Sequence, residues 1–206
     1  MASLKKLEKL FKAMMEDPEN FMISEEYNGF THPATPIISN KESGIIVNAQ
    51  WGLVPFFAKD NAKEFWKKSN TLNAKIETLE TKNSFKHSLD NRCLVLATSF
   101  FEWKHVGKEK IKHRIYTKDN EPFAFAGLFN ENTDSSGNIN LTYTILTTDA
   151  NELMTEIHNS KKRMPVVLRK QEEELWLKGE PMEIYHNRSE VELIAEPVDK
   201  MPLQLF

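Results

Sequence analysis

The sequence predicts an α+β fold. Short segments of strand texture, separated by turn clusters, fill its middle, and segments of helical spacing stand at its start and again after the strands. Neither the alternating rhythm of a doubly wound sheet nor an internal repeat is present. With 206 residues, 40% of them hydrophobic, the chain is long enough for one domain over 1–206 that buries roughly 70% of its unfolded surface.

Each element has its own signal. Ser3 is an N-cap ahead of Leu4, Leu7, Leu10, Phe11 and Met14, which predicts a helix over 3–15, ended before Pro18. The stretch 21–43 reads as an irregular loop around short extended pieces. Strand texture begins at GIIVNAQW from 44 and returns in CLVLA at 93–97, KHRIY at 112–116, PFAFAGLF at 122–129, LTYTILT at 141–147 and PVVL at 165–168. The segments 44–57, 93–103, 112–129 and 141–147 are expected to form one continuous β core. Turns fall around Gly107, over 118–122 and over 134–138, the last at the tip of an exposed hairpin. Asp149 caps a helix, with Glu152 as its capping-box partner. KQEEELWLK at 170–178 is a further helix, and 178–192 a surface stretch.

Lys plus Arg total 27 and Asp plus Glu 30, a net charge of -3. That excludes a globally basic nucleic-acid binder but not a local basic groove. The lone Cys93 excludes a disulfide framework and suits a reducing cytoplasm, the expected location. No apolar run approaches the ~18 residues of a membrane span, and MASLKKLEKL is too charged for a secretory signal. No phosphate loop, HExxH, GxSxG or paired-Cys site occurs, and no metal or organic cofactor is implied.

The residues that can carry chemistry are polar ones at the ends of apolar segments. Asn73, Lys75 and Glu77 alternate and share a face if their segment is extended; an exposed strand or turn is the bland alternative. Glu102 follows two Phe and precedes Trp103, so burial should raise its pKa and suit it to proton transfer, unless it is an edge-strand Glu paired with a lysine. His158 ends the capped helix before Lys161, Lys162 and Arg163, as a C-cap cation or as an acid–base group beside an anion site. WGLVPFF at 51–57 is core, or it presents Trp51, Phe56 and Phe57 for base stacking.

In order, WGLVP at 51–55, LNAKIET at 72–78, RCLVLATSFFEW at 92–103, FAGLF at 125–129, TILTTDAN at 144–151 and IHNSKKRMPVVL at 157–168 resemble the signature blocks of the SOS-response-associated peptidase family. The resemblance runs from about 30 to 178. It implies a mixed, barrel-like β core flanked by helices, a groove for single-stranded DNA, and a sensor of abasic sites. In the family the α-amine and thiol of an N-terminal cysteine close a thiazolidine on the ring-opened sugar aldehyde. The family's Asn, Glu and His fall on Asn73, Glu102 and His158 as catalytic residues. Lys75 stands where the family has arginine, Arg163 is the displaced arginine after the histidine, and Thr147 is the Thr of the TILT block. With Lys161, Lys162, Trp51, Phe56 and Phe57, these are the expected DNA contacts. A monomer is expected.

One departure matters. The family begins Met-Cys, whereas this sequence begins Met-Ala-Ser. Either an opening segment is missing or this is a variant without the nucleophile. As given, Ala2 supplies no thiol, and Cys93 reads as a buried structural residue. Two alternatives to a crosslinking enzyme follow: a non-catalytic single-stranded DNA-binding module, and a self-processing hydrolase using Glu102 and His158.

Overall fold

The computed structural model describes residues 3–21 and 24–198; Ala2 lies outside them. Helix α1 (Leu4–Phe11) starts where expected, with the Ser3 side chain accepting from the Lys6 N–H, and buries Leu7 and Phe11. It stops earlier than predicted because Lys12 turns left-handed at φ 53. Met14–Met15 then become a short strand, β1, parallel to β3 (Ile45–Trp51). Between them, 34–39 is not irregular: Ala34–Ser39 forms β2, antiparallel to β3. Next come α2 (Ala62–Lys68), β4 (Asn73–Lys75), β5 (Arg92–Ala97), β6 (Phe100–Val106), β7 (Glu109–Thr117), β8 (Phe123–Thr133) and β9 (Ile139–Asp149). The chain continues with α3 (Glu152–Ile157), β10 (Arg163–Pro165), β11 (Val167–Leu168), α4 (Lys170–Leu177) and β12 (Leu193–Pro197).

The main sheet runs β1-β3-β2-β5-β8-β9-β10, and a further pairing of β3 with β9 joins its two ends. Strands β3, β2, β5, β8 and β9 therefore close on themselves as a five-stranded barrel. Closure rests on a short parallel contact, Gln50↔Thr142 and Trp51↔Tyr143. β4 lies parallel to β9 just beyond it, with Asn73↔Ile145 and Lys75↔Thr147.

Alternation along each strand divides the core in two. Ile37, Ala49, Cys93, Val95, Phe125, Tyr143 and Ile145 pack together as one group. A Cβ built on Gly127 would stand 2.8 Å from both Cys93 Sγ and Val95 Cγ2, so only glycine fits that crowded face. Residues of the other parity, among them Ile46, Leu94, Ala126 and Leu146, pack under α1 and α4 with Phe11 and Trp176.

The expected single β core is in fact two sheets. Thr98 and Ser99 interrupt the segment 93–103, so β5 stays in the barrel while β6 joins β7 and β12 in a separate antiparallel sheet. Phe100 and Leu193 pack against the cores of both. One face of the small sheet rests on Met154 and Ile157 of α3. That helix is capped by Asn151, whose side chain accepts from the Met154 N–H at 2.9 Å, not by Asp149. The stretch 178–192 is pinned rather than loose. Tyr185 is fully buried, and Arg188 donates to Glu172 of α4 at 2.7 Å.

Candidate active site

A cavity of about 670 Å³ opens between the barrel and the small sheet, walled on its outer side by residues 24–30. Asn73, Glu102 and His158 all line it, although they come from β4, β6 and the end of α3.

Glu102 lies on the face of β6 that also carries Phe100 and Lys104, toward α3. Burial pushes its carboxyl above the usual carboxylate range, against the opposing pull of His158, the Trp103 N–H and Lys161. His158 Nδ1 stands 3.7 Å from Glu102 Oε1. The same nitrogen lies 2.8 Å from the Arg163 carbonyl. A carbonyl can only accept, so Nδ1 carries the proton, and in the neutral ring Nε2 is left as an acceptor. A carboxyl whose ionisation is disfavoured by burial, beside an imidazole of fixed tautomer, is suited to giving and taking a proton. Asn73 is the exposed first residue of β4 and adds an uncharged donor and acceptor.

The remaining candidates divide. Trp51, Thr147 and Arg163 line the cavity. Trp51 is not free to swing: its Nε1 donates to the Leu72 carbonyl at 2.8 Å, and its ring lies nearly parallel to that of Tyr143. Thr147 Oγ1 donates to the Ala74 carbonyl at 3.4 Å. Lys75, Lys161, Lys162, Phe56 and Phe57 do not line the cavity. Lys161 is nevertheless near enough to act on the Glu102 carboxyl, and Phe56 and Phe57 stand exposed on the turn after Pro55.

Arg163 departs most from the expectation of a free cation. Its guanidinium bonds both oxygens of Glu77, at 3.1 and 2.7 Å, and Asp149 at 2.7 Å. It also donates to the Thr147 carbonyl at 2.7 Å. The segment 73–77 is extended only as far as Lys75, where a 3-10 turn over Ile76–Thr81 begins, so the condition for Glu77 to share a face with Asn73 and Lys75 is not met; that turn carries Glu77, Arg163's partner. Burial raises the Glu77 carboxyl, but the bonds from Arg163 and Thr148 outweigh it and hold the group below its usual value. Sequence reasoning also missed Thr35 and Tyr143, which line the cavity and share a 2.6 Å hydrogen bond from residues 108 positions apart. No local pattern signals such a pair.

The chain matches the family described as SOS response associated peptidase (SRAP) over residues 1–204. It belongs to that family. A structure of another protein, from Bacteroides thetaiotaomicron, superposes on this SRAP chain with a TM-score of 0.85 at 32% identity, covering 96% of this chain and 89% of that one. A Bordetella bronchiseptica protein at 20% identity and a TM-score of 0.81 shares the fold. Among curated relatives, the abasic site processing protein YoqW of Bacillus subtilis (strain 168) is 41% identical over 143 residues, 68% of this chain and 61% of that protein. The abasic site processing protein HMCES of Gallus gallus is 33% identical over 146 residues, 60% of this chain and 42% of that protein. The SRAP chain thus spans well under two thirds of the length of these relatives.

Proposed function

We propose that this SRAP protein recognises abasic sites in single-stranded DNA, holding the ring-opened sugar in the cavity shared by Asn73, Glu102 and His158. The observation that carries the reading is the meeting of Asn73, Glu102 and His158 in one cavity of about 670 Å³, with Glu102 Oε1 set 3.7 Å from His158 Nδ1 and its carboxyl raised above the usual range by burial. Attack of an amine on the sugar aldehyde gives a carbinolamine; Glu102 donates the proton with which its hydroxyl leaves as water and, as the carboxylate, takes the iminium N–H proton back to leave a neutral imine. A neighbouring thiol then adds to the imine carbon, the nitrogen takes the thiol proton, and a thiazolidine closes. Asn73 orients the amine or a sugar hydroxyl, and His158 moves protons at the sugar oxygen through Nε2. Lys75, Lys161 and Lys162 neutralise flanking phosphates, while Phe56 and Phe57 stack on bases. The protein acts as a monomer in the cytoplasm, where the buried thiol of Cys93 is stable.

The covalent step needs the amine and thiol of an N-terminal cysteine, and position 2 of this sequence is Ala2. The second reading is binding without capture. Leu7 of α1 lines the cavity, so the start of that helix is only about one turn, ~5 Å, from its wall. The test mixes the protein with single-stranded DNA carrying an abasic site and looks for an adduct that survives denaturation. The parent chain binds without leaving one. A chain given the family's Met-Cys opening segment ahead of Ser3 leaves one, slowed by Glu102→Ala. Binding by neither chain defeats the proposal; binding by both with no adduct from the Met-Cys chain establishes the second reading.

A further inference from the structure

Arg163 faces the cavity already holding two carboxylates, and they are not equivalent. Glu77 bonds Nη1 and Nη2 together, lies 3.0 Å from Thr148 Oγ1, and its side chain is only 30% exposed. Asp149 makes one bond, from Nη1 at 2.7 Å, and its side chain is 86% exposed. The contact follows from strand register, because Arg163 and Asp149 are directly opposed across the β9–β10 pair. Arg163 Nε is buried with no acceptor among the described residues. The guanidinium is therefore anchored by Glu77 on its inner side and loosely covered by Asp149 on its outer side.

We infer that Asp149 stands in for a DNA phosphate on Arg163, and that a phosphodiester bound at the cavity displaces it while Glu77 keeps the guanidinium in place. This rests on the proposed binding of single-stranded DNA. An exposed ion pair contributes little and is readily exchanged. A phosphodiester carries the same single charge as Asp149 and can take over the one Nη1–H that Asp149 holds, a charge-assisted bond of the same kind. Asp149 thereby lowers affinity for any anion that cannot outbid it, and the inner carboxylate keeps Arg163 aimed at the cavity in either state. The two acids then act in opposite senses: Glu77 supports DNA binding and Asp149 opposes it.

The experiment measures fluorescence anisotropy of a labelled single-stranded oligonucleotide containing a tetrahydrofuran abasic analogue, with the full chain and its variants. Asp149→Asn should tighten binding about two- to fivefold, the range an exposed pair is worth. Glu77→Gln should weaken it. Placed on Arg163→Ala, or on Arg163→Lys if the alanine variant melts early, Asp149→Asn should change affinity by less than half as much. A gain of equal size without the guanidinium would mean general charge repulsion and overturn the inference; so would no gain in the parent background. If no variant binds the oligonucleotide, the proposed function fails separately. Titration with inorganic phosphate, followed on the Arg163 Nε–H resonance, then decides: tighter binding by Asp149→Asn upholds the exchange, and unchanged binding ends it.

Discussion

A carboxyl whose ionisation burial disfavours costs stability wherever it must ionise, and Glu102 is such a group. Its folded pKa is raised by burial, while in the unfolded chain it returns to about 4.3. Its favourable contribution is therefore complete below that unfolded value and is lost as pH rises through the folded one. Glu102→Gln, which cannot ionise, should melt at or above the parent temperature at pH 7.5, and the difference should vanish as pH falls toward about 4. Each unit of elevation corresponds to about 1.4 kcal/mol, and 1 kcal/mol moves the Tm of a chain this size by about 2–4 °C. Thermal melts across that range check the sign. A parent that is the more stable at pH 7.5 would mean Glu102 is a structural ion-pair partner. The sequence suggested the elevation from Phe101 and Trp103 on either side of Glu102, but strand alternation turns both to the opposite face of β6, so the burial comes from groups other than its sequence neighbours. The fixed His158 tautomer was not legible there, because it depends on a carbonyl that the loop returns to the ring.

At the level of elements, α3 brings His158 to the cavity, and the segment after α4 is held against Glu172 of that helix. Helix α3 begins at the Asn151 cap and ends at His158, so one side chain sets the position of that cavity-lining histidine from the far end of the helix. Asn151→Ala should cost about 1 kcal/mol and slow sugar capture in the chain given a cysteine. Glu152→Gln, the capping-box position of the sequence reading, should stay within about 0.5 kcal/mol of the parent; urea unfolding distinguishes the two. The sequence pointed to Asp149 as the cap, two residues too early, because composition cannot choose between Asx residues that stand so close together. The strand does: Asp149 is the last residue of β9 and is turned to Arg163. Behind α4, the Arg188–Glu172 pair is almost wholly buried. Removing one partner of such a pair leaves an uncompensated charge. Arg188→Ala should therefore destabilise by about 3 kcal/mol, less whatever Arg169, the second partner of Glu172, recovers. The stretch 178–192 looked like surface because its polar residues outnumber its apolar ones; Tyr185 and Arg188 were the exceptions that anchor it.

For the whole molecule, closure of the barrel is the deciding event. The β3–β9 contact brings Trp51 beside Tyr143, and the β4–β9 pairing that follows places Asn73 on the cavity wall. Overfilling the barrel should disturb both. Gly127→Ala puts a methyl within 2.9 Å of the Thr144 carbonyl as well as against Cys93 and Val95, and should cost about 1–3 kcal/mol by denaturant unfolding. Gly44→Ala, where a Cβ meets nothing within 4 Å, should cost less than about 0.5 kcal/mol. Equal losses would mean that crowding inside the barrel is not what selects glycine at 127.

What the sequence determined by itself is whatever depends on neighbours along the chain. Leu4, Leu7 and Phe11 recur at helical spacing behind Ser3, and the helix starts there. Alternation in 122–129 and 141–147 sets two strands, and the DSSGN turn between them sets their hairpin, with Gly137 at φ +86. The ordered blocks around Asn73, Glu102 and His158 identified the family, and pointed to three residues that line one cavity, before any contact between them was visible. Tertiary structure alone decided where distant groups meet. It split 93–103 between two sheets, made a barrel strand of 34–39, and covered Arg163 with Glu77 and Asp149. The physical reason is range. Propensity, capping and periodicity act over a few residues, whereas barrel closure and ion pairing across it are fixed by which surfaces must be buried together, and the sequence records those surfaces only as scattered apolar and charged positions.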